Sequence, residues 1–259
     1  MEENSQAEVQ VKRTVPPSVV VSGDINYRSV SGLKEALAKL IEEGCRQICL
    51  DCKTVDFVDS SGIGVIASAA GRLKSSGGQL QLRHRTRQLE HALVVSGFAS
   101  LIQTDETQPS APPPAVAADH VWQTMDLSLP ARADVDAVIR RRVMEIAQTM
   151  PFSREDLDDI KLAVGEAASN AFRHGRFDDE ADKVRVSCIS NSRGLTAEIT
   201  NPGIPFDPAA ITAPDVSRLP EGGMGIHFMR ASMDRVEFEF GPRSITVRLT
   251  KEFGGASER

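Results

Sequence analysis

The sequence predicts a mixed α/β chain in two domains. Its 259 residues pass the size, about 250 residues, beyond which a single core rarely keeps growing. The stretch TDETQPSAPPPAVAA, Thr104 to Ala118, has four prolines and no cluster of large apolar residues, the composition of a linker. Before it strands and amphipathic helices alternate; after it a long amphipathic helix is followed by strands and two glycine-bearing segments. The expected division is therefore a first domain over 1–103, a linker over 104–118 and a second domain over 119–259. At roughly 3.1 Å per residue an extended proline-rich linker of this length spans on the order of 45 Å, enough to reach round to the other domain or to a neighbouring chain.

Composition narrows the partners. Apolar residues make up 41% and charged residues 25% of the chain, which is globular and excludes wholesale disorder. Thirty Lys and Arg against 36 Asp and Glu leave a net charge of −6, so neither a nucleic acid nor an anionic membrane is an expected partner. The acidity belongs to the second half, with 18 basic and 23 acidic residues in 119–259 against 12 and 12 in 1–105. No apolar run approaches the roughly 18 to 20 residues of a spanning helix, and MEENSQAEVQ is acidic where a leader would be basic. A cytoplasmic protein with a protein or nucleotide partner is expected. Cys45, Cys49, Cys52 and Cys188 are expected to be reduced thiols: Cys49 and Cys52 lie three apart on a predicted strand and so face opposite ways, which does not suit zinc.

In the first domain, Val19 to Ser22 reads as a strand closed by the turn Gly23-Asp24. Ser31 to Glu43 carries Leu33, Leu37, Leu40 and Ile41 at helical spacing, and Gln47 to Cys52 is a second strand. Phe57-Val58 leads into Asp59-Ser60-Ser61-Gly62 and a helix marked by Val65, Ile66, Ala69 and Leu73. Gln79 to Arg83 is a third strand and Thr86 to Ser96 a last helix. Strand and helix in strict alternation predict a mostly parallel sheet with packed helices. Asp59 or one of the serines suits the cap of the central helix, and an exposed hydroxyl at that helix start suits a phosphate.

Val58-Asp-Ser-Ser-Gly-Ile-Gly-Val-Ile, with the later Gly-Gly-Gln-Leu and Val-Ser-Gly-Phe, resembles the STAS-domain anti-sigma-factor antagonists across residues 8 to 105. The resemblance implies that Ser60 is a regulatory phosphoacceptor, with Ser61 the adjacent fallback. The family's acidic turn after its early strand is represented by Gly23-Asp24-Ile25-Asn26, which keeps one acid.

In the second domain, Ser153-Arg-Glu-Asp156 opens a helix with Leu157, Ile160, Val164, Ala167 and Ala171 on one stripe. Glu166 and Asn170, four apart, share a face beside that stripe, although Gly165 and Asn170 are both poor helix formers. Leu195 to Thr200 reads as a strand running into Asn201-Pro-Gly203-Ile-Pro-Phe206-Asp207. Gly222-Gly-Met-Gly225-Ile opens a further helix, where glycines let backbone amides approach phosphate oxygens. This set resembles the GHKL ATPases, specifically the anti-sigma-factor serine kinases, over residues 120 to 252, and implies a Bergerat-type α/β sandwich. By that resemblance Glu166 is the general base and Asn170 a magnesium ligand. Gly223, Met224 and Gly225 hold phosphates, Asn201 and Gly203 belong to the adenine side, and the segment between Pro208 and Glu221 is the lid over ATP. Asn201 stands where the family usually has aspartate, so its carbonyl accepts a hydrogen bond without a charge. Arg140, in a predicted helix, is the family's partner-binding arginine. His174, next to the end of the Glu166 helix, suits a C-terminal cap or a lid contact better than catalysis.

Together these readings predict a partner-switching regulator of transcription. An ATP- and Mg2+-dependent serine kinase, itself an anti-sigma factor, would act on an antagonist domain of the same chain in cis or of another in trans. A sigma factor or analogous regulator is the expected partner, and the family's habit of dimerising extends the expectation to a homodimer through the kinase domain. A non-catalytic, partner-sequestering protein with a degenerate pocket is the alternative.

Overall fold

The structure is a computed structural model of the chain and describes residues 7–104, 123–131, 134–178, 181–208 and 224–253. The expected linker beyond Thr104, the expected lid beyond Pro208, and Gly223 lie outside the described residues.

The first unit is built on a five-stranded sheet in the order β1-β2-β3-β4-β5: Glu8–Lys12, Ser18–Ser22, Gln47–Thr54, Gln79–Arg83 and Gln103–Thr104. Pairs from β2 to β5 are parallel, as the alternation of elements predicts, while β1 lies antiparallel on β2. Strand β1 is an addition to the sequence reading: Glu8-Val-Gln-Val-Lys12 alternates polar and apolar, but as an edge strand it leaves four of its five residues exposed. The central β3 is instead buried on both faces, with Ile48, Cys49, Leu50 and Cys52 at 0–1% exposure, the habit of a parallel strand between helix layers. Helix α1 (Val30–Glu42) buries Leu33, Leu37 and Leu40, and α2 (Ser60–Ser75) buries Ile63, Ile66, Ala70 and Leu73. Helix α3 (Arg87–Val95) is capped by the Thr86 hydroxyl, which accepts from Leu89 N–H.

The second unit is a two-layer sandwich. Strands β6 (Thr124–Pro130), β7 (Lys183–Asn191), β8 (Gly194–Pro202), β9 (Arg235–Phe240) and β10 (Ser244–Glu252) form one antiparallel sheet in the order β6-β7-β8-β10-β9. Helices α4 (Val135–Ala147), α5 (Arg154–His174) and α6 (Gly225–Ser232) cover one face. Alternation along β7 and β8 sends Val184, Val186, Cys188, Ala197 and Ile199 inward against Ile160, Val164, Ala167 and Ala168 of α5. The predicted capping box is present, with Asp156 N–H donating to Ser153 Oγ at 3.1 Å and Ser153 N–H to Asp156 Oδ2 at 3.0 Å. Strands β6, β7 and β9 are additions to the sequence reading. All four cysteines are free thiols, three of them buried. Burial, with the Asp51 charge and Cys49 adding to it, pushes the Cys52 thiol up to about 12, and burial does the same to Cys188. Among the described residues, no helix is long and apolar enough to cross a membrane.

Candidate functional site

The long α5 carries both polar side chains of the expected nucleotide site. Its apolar stripe is anchored on the sheet, so Glu166 and Asn170, about 100° per residue further round, face sideways toward α6. Glu166 is 1% exposed and Asn170 half-buried. The first residue of α6, Gly225, closes directly on them: a Cβ there would lie 2.7 Å from Glu166 Oε2 and 2.9 Å from Asn170 Nδ2. Only a glycine lets the α6 backbone come this near, and it brings the start of a helix, with its spare N–H groups, beside a buried carboxylate and an amide. Met224, just before it, is fully buried.

Asn201 and Gly203 stand at the end of β8, the strand under α5. The chain leaving α5 is tied there, since Arg176 N–H donates to Pro202 O at 2.9 Å; the Asn170 end of α5 thus lies beside the Asn201 turn. Asn201 is 7% exposed and its Nδ2 donates to Pro202 O at 2.8 Å, which uses the donor half of the amide and keeps its oxygen as an acceptor. Gly203 packs on Ile245, whose Cδ1 would meet a Cβ at 2.7 Å.

Arg140 is carried by α4. It is 6% exposed on the core side of α4, whereas Arg141 and Arg142 are exposed, Arg142 pairing with Glu145 at 2.9 Å. The guanidiniums that α4 offers to solvent are those two. His174 is the last residue of α5; burial and then the neighbouring Arg173 charge hold its imidazole below the usual histidine range. The site also holds the buried Lys251 ammonium. From β10 it donates to Asp159 Oδ2 of α5 at 2.6 Å and to Ser232 O at the end of α6 at 3.0 Å, so it ties together the two helices that carry the site. The alternation of β10 puts Lys251 in phase with the inward Ile245, Val247 and Leu249, but its partners, 92 and 19 residues away, are known only from the fold.

The second candidate is the start of α2. Asp59 caps it: Oδ1 accepts from Ser61 N–H at 2.8 Å and Gly62 N–H at 3.2 Å, and Oδ2 from Tyr27 N–H at 3.0 Å. Ser60 is 5% exposed and Ser61 is half-buried. Gly62 has no room for a side chain, since a Cβ would fall 2.7 Å from both Ile25 Cγ2 and Val58 Cγ1. Two cavities lie elsewhere. One of about 410 Å³ sits between the C-terminal ends of α1 and α2, and one of about 370 Å³ on the outer sheet face over Arg185, Glu198 and Thr200; neither is lined by a residue of these two sites.

The mostly parallel sheet with a capped Asp-Ser-Ser-Gly helix start, and the sandwich with a carboxylate and amide closed on a glycine, make two distinct modules. Residues 10–103 match the Mlab, STAS domain family and residues 129–251 the histidine kinase-like ATPase domain family. The chain is thus a fusion of a STAS domain with a GHKL-type, histidine kinase-like ATPase domain. The serine-protein kinase RsbW of Bacillus thuringiensis (strain Al Hakam) is 28% identical over 139 residues, which cover 50% of this chain and 85% of that protein. Among solved structures, the phosphorylated Bacillus cell fate determinant SpoIIAA aligns with 38% of this chain and 92% of its own, at 19% identity and a TM-score of 0.33. The RsbU and RsbW domains of Rv1364c from Mycobacterium tuberculosis align with 50% of this chain and 32% of theirs, at 17% identity and a TM-score of 0.39.

Proposed function

We propose that the protein is a partner-switching regulator in which the ATPase domain is a serine kinase and anti-sigma factor, and the STAS domain its substrate or a competing antagonist. The observation that carries this reading is the approach of Gly225 to Glu166 and Asn170, a cradle that a single Cβ would fill. It fits a magnesium-bound triphosphate: the opening of α6 faces phosphate oxygens with N–H donors, and Asn170 offers an amide oxygen to the metal. Asn201 and Gly203 would receive the adenine end. Bound Mg-ATP supplies the phosphoryl group and neutralises its charge. The buried Glu166 carboxylate would accept the proton of the acceptor hydroxyl, whose oxygen would take the phosphoryl group while ADP departs with the electrons of the broken phosphorus–oxygen bond. Ser60 is the acceptor proposed, with Ser61 the more exposed neighbour, in cis or in a partner chain. A sigma factor or analogous regulator is the target released or held by the switch.

Intact-mass and peptide mass spectrometry after incubation with Mg-ATP tests this. Phosphate is expected on Ser60, Ser60→Ala separates it from Ser61, and Glu166→Gln is expected to stop transfer while keeping nucleotide binding by calorimetry. Unmodified serine in the wild-type chain overturns the kinase reading, and absence of nucleotide binding moves the protein to the sequestering class.

A further inference from the structure

The turn that carries Ser60 hangs between two partners, the Ile25 segment after β2 and the start of α3. Val58 forms an isolated parallel bridge with Ile25. Through it Ile25 N–H donates to Phe57 O at 2.9 Å and Asp59 N–H donates to Ile25 O at 3.0 Å. Successive peptide groups of an extended chain point to opposite sides, so the N–H and C=O of Val58 itself point away from Ile25. Among the described residues, no strand pairs with it on that side. Val58 is fully buried, and a buried peptide group without partners is costly.

The missing neighbour is a side chain. Gln88, in the first turn of α3 and 4% exposed, accepts from Val58 N–H through Oε1 at 2.9 Å and donates through Nε2 to Val58 O at 3.1 Å. A carboxamide has one donor and one acceptor side by side, as a neighbouring strand's peptide groups would present them. We propose that Gln88 is a positioning residue for the phosphoacceptor turn. It acts as a one-residue surrogate strand that fixes Val58, and through Val58 the Asp59 cap and the direction of the Ser60 hydroxyl. It links α3 to the modification site across 30 residues of sequence, so whatever moves α3 changes how Ser60 is offered. This inference rests on the reading of Ser60 as an acceptor, but its structural half can be measured without any kinase.

The experiment uses the full chain with Gln88→Leu, which keeps bulk and removes both bonds. Gln88→Glu keeps the acceptor and loses the donor, and carries the same test should the leucine chain not fold. Amide hydrogen exchange is expected to lose about ten-fold or more in protection at Val58, Ser61 and Gly62, while Ile48 and Leu80 in the neighbouring strands hold theirs. At saturating Mg-ATP the rate of Ser60 phosphorylation is expected to fall by about ten-fold or more with nucleotide affinity unchanged, as misplacement of a reacting group predicts. Unchanged protection at Ser61 and Gly62, a loss spread evenly over the sheet, or wild-type phosphorylation despite local loss each overturns the proposal. If the wild-type chain is not phosphorylated, it is the kinase reading that falls, and the exchange data alone decide whether Gln88 holds the turn.

Discussion

At the scale of single residues the structure turns environment into reactivity. His174 is held neutral by burial and by Arg173. Its folded value lies below the unfolded one, so the stability it contributes is complete above the ordinary histidine value of about 6.5 and is lost as pH falls from there through the depressed folded value. His174→Gln is therefore expected to flatten the decline of melting temperature below about pH 6.5; a decline identical to wild type would remove the assignment. The thiols sort in the same way. Cys52 and Cys188 are pushed up to about 12 and Cys49 is 1% exposed, so a maleimide at neutral pH should modify Cys45, which is half-buried, and leave the other three unmodified until the chain unfolds. Rapid labelling of Cys188 in the native chain would contradict its burial.

At the scale of elements, legibility follows the pattern each segment carries. Helix α5 was readable because its stripe, its Ser153 cap and its paired Glu166 and Asn170 are all local. The approach of Gly225 to that pair was signalled only by glycine at a helix start. The partners of Lys251 and Gln88 are not readable, because both side chains join groups distant in sequence; the two-residue period of β10 points Lys251 inward but names no partner. Strand β1 does show a period of two in Glu8-Val-Gln-Val-Lys12, yet at five residues on a sheet edge it is too short to stand out. The junction of α5 and α6 gives the sharpest prediction. A Gly225→Ala methyl group would start 2.7 Å from Glu166 Oε2 and 2.9 Å from Asn170 Nδ2, so the ends of these two side chains have to move away from where nucleotide is expected. Nucleotide affinity should drop about five- to a hundred-fold while the far-UV spectrum is retained; unaltered affinity by calorimetry would show that the cradle is not where nucleotide sits.

At the scale of the whole molecule, two cores are made by two different logics. One is a central strand buried on both faces, and the other a sheet with one covered and one wet face. Each has its own set of apolar residues, so damage to one is expected to stay there. Leu50→Ala, at a fully buried position of β3, should destabilise the STAS domain by about 2–5 kcal/mol and leave ATP or ADP binding within about two-fold. A parallel loss of binding would mean that the domains fold as one cooperative body.

The Asp59 cap has an effect on how a phosphate would be read. The carboxylate already occupies the Ser61 and Gly62 amides, so an added dianion next door finds those donors spoken for and a like charge at its side. Such a mark gains little shelter from the helix that bears it.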